Sequence, residues 1–341
     1  MRLHEIPAET EAIQPGDMAD KLAEFMGRHD FFVLSTHDPA DADGLGAQMV
    51  TACILRGKGK KFRIINASAI PKHFRYMEQQ GIIEQWDKEQ HGELLEQAGL
   101  ILLDTADERT MGQMKDAVYL AKEVFVIDHH EPKRHAAFSG IADPSSASTC
   151  ELTVELAKSL GAVLDPQTAF AAYIGIAYDT GFFAYSKTGP RTFRSALALF
   201  GLGVKPNEVY QQLHENASIA VLLLQKRALA SLTLHHGNRV AVQVLRLEDY
   251  AEAGASQEDT DGFVNFPMKA KEVVVSLMLK ESPEGRIRCS LRSKGNINVA
   301  KIAQELNGGG HANASGFKSD LDIDQTLAIA LAKIGEHLDR P

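Results

Sequence analysis

An α/β fold is predicted: a doubly wound, mainly parallel sheet domain, then a second, smaller α/β domain. Three observations predict it. Four short runs, Phe31-Phe32-Val33-Leu34, Phe62-Arg63-Ile64-Ile65, Leu100-Ile101-Leu102-Leu103 and Val124-Phe125-Val126-Ile127, are bounded by polar residues, as buried strands are. Stretches of helical periodicity alternate with them, the pattern of βαβ units. Beyond residue 230 the strands come in close pairs instead, which marks a change of domain.

Each element has its own signal. Residues 44–55 place Leu45, Met49 and Ile54 on the inward face of a helix. Ser148-Thr149-Cys150-Glu151 has the spacing of a capping box, with Ser148 as N-cap and Glu151 reaching back, and opens a helix to about Leu160. Residues 168–178 are apolar all round, as a buried helix is, and deliver Asp179 at its end. Pro190 suits the first turn of a further helix. Residues 231–234 and 240–244 flank His235-His236-Gly237-Asn238 as a hairpin, and 273–279 and 286–291 form a second pair around 281–285. Asn298 caps a helix from Val299. A glycine-rich turn and a helix over 323–338 close the chain. The domains are expected at 1–185 and 229–341, with a helical connector at 186–228.

Composition narrows the function classes. A net charge of −9 argues against binding long DNA or RNA, which needs an extended basic surface. Cys53, Cys150 and Cys289 are far apart and form no CxxC pattern, so they read as buried thiols in a reducing compartment. No apolar run is long enough for a membrane span. Glu5, Glu9 and Glu11 do not fit a signal peptide, so a cytoplasmic location is expected.

The chemistry sits at the strand ends. His37, Asp41 and Asp43 follow the first run, Asp104 the third, Asp128-His129-His130 the fourth, and Asp179 ends the buried helix. A parallel sheet binds ligands at the carboxyl ends of its strands. Carboxylates crowded there repel one another unless cations hold them. Oxygen ligands with some imidazole suit two divalent cations, Mn²⁺ foremost and Mg²⁺ as the alternative. Two such ions about 3.5–4 Å apart can clamp both oxygens of a phosphoryl transfer. In the second domain Gly308, Gly309 and Gly310 let backbone N–H groups approach an anion, with His311 beside them and Arg292 on a preceding strand.

These clusters resemble the four motifs of the DHH phosphoesterase family, whose name is spelled by Asp128-His129-His130. Leu291-Arg292-Ser293-Lys294 and the segment from Gly308 to Gly316 resemble the DHH-associated nucleic-acid-binding domain. The two-domain arrangement is similar to bacterial nanoRNases, which act on short oligoribonucleotides and on 3′-phosphoadenosine 5′-phosphate. Two departures stand out: Pro39 lies one place early, with Ala40 after it, and Asn307 replaces the first of a commoner four-glycine run.

The resemblance implies roles. His37 and Asp41 bind one metal, Asp43, His129 and Asp179 the other, and Asp104 bridges. His130 holds the scissile phosphate and Asp128 orients the histidines. Arg292 and residues 308–311 bind substrate. Several residues stay outside this set. Asp38 reads as a solvated loop residue, and Thr180 and Phe183 as shaping a turn. Arg191 is left open between a phosphate contact and a surface arginine, and Lys294 is unassigned. His73, His135, His214, His235 and His236 read as structural or solvent-facing.

The expected protein is a Mn²⁺-dependent phosphoesterase that converts short oligoribonucleotides to mononucleotides and also acts as a pAp 3′-phosphatase. The alternative enzyme is a cyclic or linear dinucleotide phosphodiesterase. A nucleotide sensor with an inactive site is the non-enzyme alternative, but it requires a missing ligand and none is missing. Expected partners are a short oligonucleotide or nucleotide substrate, with neither long DNA nor a membrane. The oligomeric state is left open, a homodimer included.

Overall fold

The computed structural model describes residues 15–78, 81–131 and 138–338. The N-terminal glutamates and His135 lie outside the described residues. The chain divides into two units between Asn216 and Ala217.

In the first unit the order is α1 (Pro15–Arg28), β1 (Phe31–Thr36), α2 (Ala42–Gly57), β2 (Lys61–Asn66), β3 (Ile83–Gln85), α3 (Lys88–Leu95), β4 (Gly99–Leu103), β5 (Glu123–Asp128), β6 (Ser139–Ala142), α4 (Thr149–Ser159), α5 (Pro166–Asp179), α6 (Pro190–Gly201) and α7 (Pro206–His214). Its sheet runs β3-β2-β1-β4-β5-β6, with every pair parallel. The chain winds outward from β1 in one direction and from β4 in the other, so the switch point lies between these two strands. Alternation within each strand serves two cores. Phe32, Leu34, Ile101 and Leu103 pack with α1, α2, α4 and α5, while Val33, Leu100 and Leu102 pack with Leu95 and the short turns around Met111 and Met114.

The helix after β1 is buried along both faces from Ala42 to Leu55, not on the single face predicted. The reason is that α5 and α4 pack on it as well as the sheet. Gly46 makes the close approach possible: a Cβ there would lie 2.6 Å from Cys150 Sγ and 2.7 Å from the Ala171 carbonyl. The strands β3 and β6, three and four residues long, gave no legible pattern because such short, half-exposed edges carry little periodicity.

The second unit contains α8 (Ile219–Ala230), β7 (Thr233–His235), β8 (Val240–Leu245), α9 (Leu247–Ala253), β9 (Val275–Glu281), β10 (Ile287–Ser293), α10 (Val299–Glu305), β11 (Gly309–His311), β12 (Ala314–Ser319) and α11 (Ile323–Leu338). Its sheet is ordered β11-β12-β10-β9-β8-β7 and is antiparallel except for β8 beside β9. One face packs on α10 and α11, the other on α8 and α9. The predicted hairpins and final helix are present. The glycine-rich segment is corrected: Gly309–His311 is an edge strand on β12, not a turn. Gly310 has φ 136°, and a Cβ on it would meet the Ala314 carbonyl at 2.6 Å, so the pairing itself demands glycine.

Gly46→Ala is expected to destabilise the first unit by about 1–3 kcal/mol through overpacking. Gly57→Ala, where no atom lies within 4 Å, is expected to be close to neutral. Denaturant unfolding of the two variants checks this, and equal midpoints would show that the α2–α5 contact is not tight.

Candidate metal centre

The switch point gathers the predicted side chains. His37 follows β1 directly. Asp41 is the N-cap of α2, its Oδ1 accepting from the Asp43 and Gly44 amides at 3.0 and 3.1 Å. Asp43 lies in the first turn and is fully buried. Asp104 leaves β4 with φ 62°, a conformation Asp tolerates better than most residues, and its N–H donates to the Ile127 carbonyl. Asp128 ends β5, and His129 and His130 follow. Asp179 is the last residue of α5.

Two groups form around Asp104. His37 Nε2 lies 3.3 Å from Asp104 Oδ2 and 3.4 Å from Asp41 Oδ1. His129 Nε2 lies 3.1 Å from Asp179 Oδ2, 3.5 Å from Asp104 Oδ1 and 4.0 Å from Asp43 Oδ2. Ligand atoms of His37, Asp41 and Asp104, and of Asp43, His129 and Asp179, cluster tightly enough to hold an ion each. Asp104 thus turns one oxygen to each group.

Charge in this pocket is frustrated. Burial, then the neighbouring carboxylates, push the acid of Asp43 well above its ordinary range, and burial raises Asp179 too. Burial works against a charged imidazole, yet the neighbouring carboxylates of Asp104 and Asp41 raise His37 to about 11, and those of Asp179, Asp43 and Asp104 raise His129 to about 10. The site therefore calls for positive charge, and protons on the imidazoles stand in for it. Asp179 adds to the demand, because the C-terminal end of a helix disfavours a carboxylate. Among the described residues neither ring nitrogen of His129 makes a hydrogen bond, although three carboxylates surround Nε2. Side chains that converge on a common centre without bonding one another fit a cation.

The surrounding contacts hold these groups still. Asp128 Oδ1 accepts from His130 Nδ1 at 2.7 Å and from the His130 amide at 3.1 Å. The first two amides of α4, of Thr149 and Cys150, donate to Asp43 at 2.6 and 2.8 Å, and Thr149 Oγ1 donates to Asp104 Oδ1 at 2.9 Å. Sequence reading saw here only a helix start, since Thr149 and its two acidic partners lie 106 and 45 positions apart. The capping box is itself modified. Ser148 caps the Glu151 amide, but the Glu151 carboxylate accepts from Ser146 Oγ and the Ala147 amide.

Residues left open now have places. Asp38 is not a solvated loop residue: its Oδ1 accepts from Ser68 Oγ at 2.5 Å and its amide donates to the Thr110 carbonyl. Arg191 is not an ordinary surface arginine. It is largely buried and paired with Asp143 at 2.6 Å and Glu155 at 2.5 Å, with Glu151 at 3.4 Å. Thr180 Oγ1 donates to the Ile176 carbonyl and accepts from the Phe183 amide, which shapes the turn after Asp179. Lys187, unremarked in the sequence, donates to the His129 carbonyl at 3.4 Å. In the second unit Lys294 donates to the Ala270 carbonyl. There the register sets Arg292 of β10, Ala314 of β12 and His311 of β11 in one row.

A doubly wound parallel sheet with this acidic and imidazole cluster at its switch point defines a hydrolase acting on phosphoric ester bonds. More narrowly, the chain belongs to the DHH family: the model of the DHH family N-terminal domain matches residues 32–176 and that of the DHHA1 domain matches residues 237–336. The chain is 28% identical to the bifunctional oligoribonuclease and PAP phosphatase NrnA of Thermus thermophilus, covering 90% of each chain. It is 26% identical to the cyclic-di-AMP phosphodiesterase GdpP of Geobacillus thermodenitrificans, over 89% of this chain but 47% of that one. The crystal structure of an exopolyphosphatase-related protein from Bacteroides fragilis superposes with a TM-score of 0.89 at 25% identity, covering 96% of this chain and 98% of that one.

Arg191→Met leaves the buried carboxylates of Asp143 and Glu151 and the half-buried one of Glu155 without their cation and is expected to cost about 3–5 kcal/mol of stability. Unfolding in denaturant checks it. Unchanged stability with a raised KM would restore Arg191 as a substrate contact.

Proposed function

We propose that the protein is a Mn²⁺-dependent phosphoesterase that hydrolyses short oligoribonucleotides, dinucleotides included, to mononucleotides, and removes the 3′-phosphate of pAp. The observation that carries this reading is the division of Asp104 between two ligand groups, one oxygen toward His37 and the other toward His129. Such sharing suits a pair of ions close enough to act on one phosphate. The length match with the Thermus NrnA supports the substrate class, whereas the chain spans under half of the cyclic-di-AMP phosphodiesterase.

In this reading His37 and Asp41 hold one cation, Asp43, His129 and Asp179 the other, and Asp104 both. The mixture of carboxylate and imidazole favours Mn²⁺ over Mg²⁺. The cations, when bound, supply Lewis acidity toward the phosphate and a more acidic water. Hydrolysis joins the oxygen of water to phosphorus and releases the ester oxygen with its nucleoside. In this reading His130 donates to a phosphate oxygen, with its ring held in place by the bond from Nδ1 to Asp128. Burial opposes the charge on His130, but the Asp128 bond and the nearby Asp104 raise its pKa, the direction this role needs. In the second unit Arg292 and residues 308–311 bind the nucleotide. An edge strand free of side chains at Gly309 and Gly310 leaves backbone groups open to a phosphate or base, and arginine grips phosphate with two prongs.

Asp104→Asn is expected to abolish turnover of a dinucleotide nearly completely and to lower the content of bound Mn²⁺, whereas His130→Ala keeps the metal and loses rate. Metal analysis beside an activity assay checks both. Full turnover by Asp104→Asn after chelator treatment would overturn the two-cation reading. Arg292→Ala removes a charge-assisted contact worth about 1.5–3 kcal/mol, roughly tenfold to hundredfold in kcat/KM for a dinucleotide. Hydrolysis of bis-p-nitrophenyl phosphate, which offers no nucleotide, is expected to change little. Equal losses on the two substrates would assign Arg292 to catalysis or folding. Dinucleotides, pAp, longer oligomers and cyclic dinucleotides assayed side by side separate the substrate classes.

A further inference from the structure

The amino end of α4 lies under the ligand cluster and touches both groups within it. Thr149 is its first residue and is fully buried. A threonine in the first turn of a helix ordinarily finds a local backbone partner for its hydroxyl. This one instead donates across the fold to Asp104 Oδ1 at 2.9 Å, while the amide of the same residue donates to Asp43 Oδ2 at 2.6 Å. Those two carboxylates reach the site from different elements: Asp43 from the first turn of α2, Asp104 from the end of β4.

The choice of oxygen is what matters. Asp104 Oδ1, which the hydroxyl holds, is the oxygen facing His129; Oδ2, free of the hydroxyl, faces His37. A carboxylate attached to one strand end can rotate about its terminal torsion, which is broad and roughly two-fold. A donor fixed to one oxygen stops that rotation and leaves each oxygen facing its own group.

We propose that Thr149 is a positioning residue that fixes Asp104 across the two cation sites, so that its hydroxyl governs whether the sites act as a pair. The inference rests on the two-cation reading above. Thr149 need not touch substrate or cation; it acts through Asp104.

The test uses the full-length protein and three variants: Thr149→Val, which removes the donor at nearly constant volume, Thr149→Ala, which removes it without bulk, and Thr149→Ser, which keeps it. Calorimetric titration of metal-free protein with Mn²⁺ is expected to show two ions bound by wild type and Thr149→Ser. In Thr149→Val and Thr149→Ala one ion should bind about 10- to 100-fold more weakly, the effect of losing a group that orients a ligand. Paramagnetic resonance of the Mn²⁺-loaded proteins should show exchange coupling in wild type and Thr149→Ser, and the six-line signal of separate ions in the other two. kcat falls with coupling, and KM for a dinucleotide holds. Should Thr149→Val fail to fold, Thr149→Ala carries the comparison. Wild-type affinities and coupling in a folded variant without the hydroxyl would overturn the role of Thr149 and leave the two-cation reading standing. A Thr149→Ser variant as defective as Thr149→Val would show that the hydroxyl is not the agent. Absence of a second ion or of coupling in wild type itself would bring down the reading, and this inference with it.

Discussion

Repulsion among carboxylates is the constraint on which the first unit depends. Asp41, Asp43, Asp104 and Asp179 are drawn to one end of one sheet, where burial already disfavours the charge of Asp43 and Asp179. A protein can tolerate such a cluster only by supplying opposing charge or donors. This one does so in layers. Backbone amides at the starts of α2 and α4 receive Asp41 and Asp43, the imidazoles of His37 and His129 lie among the acids, and the convergence leaves room for cations. The cost of assembling the acids is therefore offset where the helices begin, which is why the two helix starts and the sheet edge have to coincide.

The wider architecture follows from that requirement. Helix starts can meet a sheet edge only at the carboxyl end of parallel strands, and only a switch point leaves a gap between neighbouring connections. The order β3-β2-β1-β4-β5-β6 provides it between β1 and β4. Helix α5 runs the opposite way relative to the cluster and contributes a carboxylate from its final residue, against the sense of its own dipole. The second unit follows different rules. Its largely antiparallel sheet uses glycine at Gly310 where the backbones of β11 and β12 crowd, so this part of its glycine content belongs to packing.

How far the sequence could be read differs between element types. Strands buried on both faces announce themselves as unbroken apolar runs, and three of the four runs lead into residues of the cluster; His37, Asp104 and Asp128 were visible for that reason. Helix starts were legible at Ser148 and Asn298 because caps have fixed spacing. What a cap cannot reveal is a long-range partner. Nothing local to Thr149 points to Asp104, and nothing beside Arg191 points to Asp143, a pairing that turns an apparent surface arginine into an internal strut. Asp38 failed for the same reason, its partners being Ser68 and Thr110. Edge strands such as β3 and β6 were lost because half-exposed short segments carry no decisive pattern.

Cys150 has a further consequence. Its sulfur is lodged against Gly46 and Gly175, where even a methyl group on either glycine would collide with it, and burial pushes the thiol well above its ordinary range. No room exists there for an alkylating group or an added oxygen while α2, α4 and α5 stay together. The thiol is inert in the closed protein by geometry and by protonation alike. Its rate of chemical labelling therefore counts how often those three helices part, a clock for the breathing of the region that holds Asp43 and Asp179.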